Sequence, residues 1–188
     1  MAGVSSPMLI YRPRAAARFL FGLTVGAILG ASLVAAGMLG IGQVLALVGS
    51  HAEHVGACVG IVFLLGVADI SNRTPQAERQ VPQRFIRALS PGPLGLVWGV
   101  DLGLMFTTQK VVSLVWAGMV IAVLLEPSLS FVLMWTVAGC YMGAVVAWTL
   151  LHGRGLENFG SVAERRQLRL IKIVSGLSLI VISAWIAI

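Results

Sequence analysis

The chain has 188 residues, of which 58% are hydrophobic and 11% charged, with 13 Lys and Arg against 7 Asp and Glu. A soluble domain of this length has nowhere to bury so much apolar surface, and no soluble domain fits between the apolar blocks. The net charge of +6 is spread over short connections, which argues for a lipid surface rather than a nucleic-acid partner.

Five stretches, 19–49, 55–70, 94–125, 129–151 and 170–188, are almost free of charge. A spanning helix needs about 20 apolar residues. The pattern predicts an all-α fold, a polytopic transmembrane helix bundle of about five spans, the second and fifth shorter than the others. Arg12, Arg14 and Arg18 precede the first span. Arg73, Arg79, Arg84 and Arg87 lie between the second and third, and Arg154, Arg165, Arg166, Arg169 and Lys172 between the fourth and fifth. The connections around Ser50–His54 and Glu126–Ser128 carry no Lys or Arg. Positive charge stays on the cytoplasmic side. The expectation is a multi-pass inner (plasma) membrane protein with its N-terminus cytoplasmic, its C-terminus outside, and its basic face on anionic lipid. The first apolar stretch runs well beyond the h-region of a cleaved signal peptide, which favours an uncleaved span.

In chain order, the first span is rich in glycine. Gly22, Gly26 and Gly30 share one face, and Gly37, Gly40 and Gly42 follow. A helix over 19–49 would be about 46 Å long against a hydrocarbon core of about 30 Å. The first and third spans are therefore expected to kink or break near their middles, packing closely through their glycine faces. His51, Glu53 and His54 read as an outer loop, short of the four ligands of a closed zinc site, so no metal is expected. The inner connection places Val81, Phe85, Ile86 and Leu89 on one face and arginines on others, as in a helix lying in the headgroup layer. The stretch Leu156–Leu168 is a weaker relative.

The third span repeats the first. Trp98-Gly99-Val100-Asp101-Leu102-Gly103 matches the frame Phe21-Gly22-Leu23-Thr24-Val25-Gly26, 77 positions earlier. Each copy opens a half with the same order of basic segment, long span, outer loop and second span. This predicts a parallel repeat of two-helix units, 19–74 and 94–155, in a single membrane domain with 170–188 as an extra terminal helix. Only the second copy carries Asp101, Thr107, Thr108, Gln109 and Lys110. Polar groups in hydrocarbon are costly and are kept mainly for use. Asp101 and Lys110, nine positions apart, fall on nearly opposite faces of a regular helix, and both can snorkel toward water. Were the helix broken there, Thr107, Thr108, Gln109 and Lys110 would offer hydroxyl, amide and cationic donors to a small polar or anionic solute. Gly22, Gly26, Gly30, Gly99 and Gly103 would then serve helix packing.

Cys58 and Cys140 occupy equivalent spans of the two halves. Outside any Cys-x-x-Cys motif, a buried cysteine usually acts as a small apolar residue; the alternative is thiol chemistry between the two. No phosphate loop, nucleophile elbow, HExxH pattern or paired catalytic carboxylates occur in the sequence. An enzyme is thus less expected than a carrier, and no cofactor is called for.

The stretches Gly22–Ser32 and Gly99–Gln109, each opening a half, together with the basic linker between them, resemble the CcdA/DsbD-type membrane thiol electron carriers. The resemblance covers about a third of the chain and implies a transporter-like scaffold. That family places a reactive cysteine followed by proline in the first helix of each half, where this chain has Ala31-Ser32 and Thr107-Thr108. It also uses three crossings per half in an inverted repeat. Its catalytic dithiol does not carry over. The sequence leaves three functions open: a carrier or binding protein for a small polar or anionic solute, thiol-disulfide electron transfer through Cys58 and Cys140, and a non-catalytic subunit of a membrane complex. The partners expected are the bilayer and either a second copy of the chain or another membrane subunit.

Overall fold

A computed structural model describes residues 12–75, 88–105, 112–151 and 162–188. Among them every regular element is helical: α1 (Pro13–Val48), α2 (His51–Ile70), α3 (Pro91–Gly103), α4 (Leu114–Leu124), a 3-10 turn (Pro127–Leu129), α5 (Ser130–Leu151) and α6 (Val162–Ile186). Four helical stretches, Pro13–Val48, His51–Ile70, Pro127–Ala147 and Leu168–Ile186, are long and apolar enough to cross a membrane. Large apolar side chains such as Leu47, Leu64, Val181 and Trp185 stand exposed along them. That surface suits lipid rather than water.

The apolar run 94–125 is two helices, not one. α3 closes at Leu104, followed by Met105 at φ 62°, and α4 begins after Ser113. A left-handed residue without glycine's freedom is a firm stop. The first span behaves otherwise: α1 runs for 36 residues without interruption. Its glycines do not break it because four of them, Gly22, Gly26, Gly30 and Gly42, are spent on packing. Each costs helix propensity, and close burial against another helix offsets that cost. The expected headgroup-layer helix over 81–89 lies largely outside the described residues.

His51, Glu53 and His54, expected in a loop, form the first turn of α2. Ser50 caps it: its hydroxyl accepts from Glu53 N–H at 3.3 Å, and the Glu53 carboxylate accepts from Ser50 N–H at 2.8 Å. This reciprocal capping box satisfies two of the amides a helix start leaves open. At the other end Asn72 adopts φ 59°. Arg73 N–H then reaches Ala68 O at 2.8 Å and Asn72 N–H reaches Asp69 O at 3.1 Å. This is a Schellman closure, with asparagine in the place glycine usually takes. Pro75 follows and prevents the helix from resuming.

The chain forms two compact units. The first draws on Met1–Val34, Glu78–Thr108 and Met134–Phe159. Within it α1 and α3 run parallel at backbone contact. A Cβ on Gly22, Gly26 or Gly30 would strike the Gly92, Leu96 or Val100 carbonyl; one on Gly95, Gly99 or Gly103 would strike that of Phe19, Leu23 or Ala27. Glycines four apart on both helices remove the side chains that would hold them apart. Phe19, Leu23, Ala27, Leu94, Trp98, Leu102 and Met142 form the core. There the Phe19 and Trp98 rings meet edge to face at 5.9 Å and 80°, a favoured aromatic geometry.

The second unit draws on Ala35–Ala77, Gln109–Leu133 and Gly160–Ile188. Here α2 and α6 pack antiparallel around Cys58, Val62 and Leu179, with Ala117 of α4. Gly66 and Gly176 face each other, a Cβ on either lying 2.9 or 2.6 Å from the other's carbonyl oxygen. That close crossing brings the end of α2 onto the middle of α6.

Candidate functional site

One turn beyond Gly66, α2 carries Asp69, whose side chain is fully buried. Four donors surround its carboxylate. Oδ1 accepts from Thr74 Oγ1 at 2.9 Å and from Ser113 Oγ at 2.7 Å. Oδ2 accepts from Ser113 N–H at 2.8 Å and from Ser175 Oγ at 2.9 Å. Thr74 is delivered by the Schellman turn, which folds the chain back over the end of α2. Ser113 is the residue before α4, so the amide end of α4 points at the carboxylate. Ser175 comes from α6, placed by the Gly66–Gly176 crossing. Three segments far apart in sequence thus converge on one side chain.

Opposing terms meet at this carboxylate. A carboxylate offers about four acceptor positions, and all four are taken. Hydrogen bonds to a charged group are worth about 1.5–3 kcal/mol each, and a helix N-terminus adds about 0.3–2 kcal/mol. Against this stands a desolvation penalty of several kcal/mol for a buried ion. Three of the four donors are hydroxyls and one is a peptide N–H; among the described residues no cationic side chain joins them. The Lys172 ammonium, one turn from Ser175 on α6, donates instead to Asn72 Oδ1 at 2.7 Å. Ser113, Ser175 and Thr74 are themselves buried.

Of the residues the sequence singles out, Asp101 lies half-buried in the last turn of α3. Thr107, Thr108, Gln109 and Lys110 lie outside the described residues. Gly22, Gly26, Gly30, Gly99 and Gly103 lie in the α1–α3 contact. Cys58 is buried in the second unit and Cys140 exposed on α5 in the first; neither forms a disulfide. No group of three or more His, Cys, Asp or Glu residues capable of holding a metal occurs among the described residues.

The sequence reading passes over Asp69. Its signal was present: a carboxylate inside an apolar span, in a stretch treated as almost free of charge. What spacing cannot reveal is that Ser113 and Ser175, 44 and 106 positions away, supply its partners.

No family model, curated protein or solved structure matches this chain.

Proposed function

We propose that this integral membrane protein binds or carries a small polar or anionic solute through the polar stretch Asp101–Lys110 of the third apolar run. The supporting observation is that α3 ends early in that run, with Met105 at φ 62°. The helix in front closes at Leu104, the helix behind opens at Ser113, and the opening amide is directed at Asp69. Interrupted helices in membrane carriers line binding sites, because backbone groups freed from a helix need protein or water around them. On this reading Thr107, Thr108, Gln109 and Lys110, which lie outside the described residues, supply the solute's donors.

The test is ligand-induced thermal stabilisation of the purified protein against a panel of small neutral, cationic and anionic polar solutes, followed by flux in proteoliposomes for any hit. Thr108→Val with Lys110→Met is expected to abolish both the stabilisation and the flux. A double variant that keeps both, or a panel with no hit, removes the assignment.

A further inference from the structure

We propose that the groove between the N-terminal ends of α1 and α3 holds one anionic phospholipid, its phosphate on Arg18 and an acyl chain running inward along the two helices. The groove lies wholly within the first unit and encloses about 590 Å³, a volume ordinary for a ligand site. Its wall on α1 is Arg18, Phe21, Gly22 and Val25, at i, i+3, i+4 and i+7, one stripe of helix surface. Its wall on α3 begins at Ser90 and Gly92 and ends at Leu96. The glycine contact leaves this crease unfilled. Gly22 closes on the Gly92 carbonyl, whereas a Cβ on Gly92 would meet open space.

Because α1 and α3 run parallel, both walls change character together. The end at Arg18 and Ser90 is polar, and the stretch from Phe21 to Val25, with Leu96 across from it, is apolar. From Arg18 to Val25 is about 10 Å at helical rise. Among the described residues no acceptor meets the exposed Arg18 guanidinium or the exposed Ser90 hydroxyl. A phosphate diester presents the paired oxygens that a guanidinium fork matches, and can accept from Ser90 as well. No Asp or Glu lines the groove, so the cationic head of a zwitterionic lipid finds no partner there. A free phosphate would leave the apolar end empty, with Phe21 74% exposed. A neutral apolar molecule would leave the arginine unpaired. An anionic phospholipid matches both ends. The inference rests on α1 being a span, and is independent of the side on which its N-terminus lies and of any carried solute.

The test uses the full chain in detergent micelles, with phosphatidylglycerol carrying a diazirine in its acyl chain as the probe. After photolysis the crosslinked residues are mapped by mass spectrometry. Crosslinks are expected at Phe21, Val25 or Leu96, competed by unlabelled phosphatidylglycerol and about fivefold less well by phosphatidylcholine of the same chains. Arg18→Gln should lower the yield about fivefold, and Leu96→Trp, which fills the groove, should lower the yield at Phe21 and Val25. Both change exposed side chains, so the fold is kept. Arg73→Gln, the same loss of charge in the second unit, should leave the yield unchanged. Labelling spread evenly over the exposed faces of α1 and α5, equal competition by the two lipids, or an unchanged yield in either groove variant overturns the proposal. An equal fall in Arg73→Gln does the same, by reducing the effect to general charge attraction. Competition by glycerol 3-phosphate at the lipid's concentration also overturns it, because the site would then take a free phosphate.

Discussion

Ser113 spends its hydroxyl in an unusual way for a residue at a helix start. Such a serine ordinarily accepts from an amide of the first turn, as Ser50 does on α2. Ser113 makes no such side-chain cap and gives both its hydroxyl and its N–H to Asp69. The two serines should therefore respond differently to truncation. Ser50→Ala is expected to cost about 0.5–2 kcal/mol, the value of a cap. Ser113→Ala should cost about 1–3 kcal/mol, because a buried carboxylate loses a donor. Reversible denaturation in mixed micelles measures both, and a Ser113→Ala loss smaller than that of Ser50→Ala would contradict the account. The capping box was legible, since Ser50-His51-Ala52-Glu53 carries the required spacing; reading it as loop followed from setting the start of the span at the first long apolar run. The Asp69 cluster was only half legible, because spacing along one helix says nothing about partners brought by others.

At the scale of elements, glycines four apart have two different fates. Gly22, Gly26 and Gly30 meet the backbone of α3, whereas Gly56 and Gly60 on α2, like Gly37 on α1, meet nothing within 4 Å. Identical spacing thus marks a contact in one place and none in another, and composition cannot separate the two. Gly99→Ala should force α1 and α3 apart at a cost of about 1–3 kcal/mol. Gly37→Ala should be neutral, or stabilise by up to about 1 kcal/mol through helix propensity. Equal effects in thermal unfolding would show that the contact is not close-packed. The long apolar runs announced helices correctly, and their boundaries were the weak point. The 94–125 run contains no proline after Pro93, so nothing local marks the stop at Leu104.

At the scale of the molecule, apolar helices with exposed large side chains fit a bilayer, as composition alone foretold. The side on which each connection lies is a matter of charge. If the arginine-bearing connections share the cytoplasmic side, as their charge leads one to expect, single cysteines placed in a chain lacking Cys58 and Cys140 should react with an impermeant maleimide from opposite faces: Ser128→Cys from outside, Arg73→Cys only after permeabilisation. Labelling of both from one side would reverse or abolish the proposed topology. The Asp69 cluster also has a consequence in time. Asp69 leaves the ribosome 106 residues before Ser175, about 5–20 s at ordinary synthesis rates. During that interval α2 must enter the membrane with its carboxylate lacking a donor that only α6 can bring. The last helix is therefore more than an addition to a finished bundle: its arrival completes the solvation of a group already committed to the interior, and assembly of the second unit ends when it does.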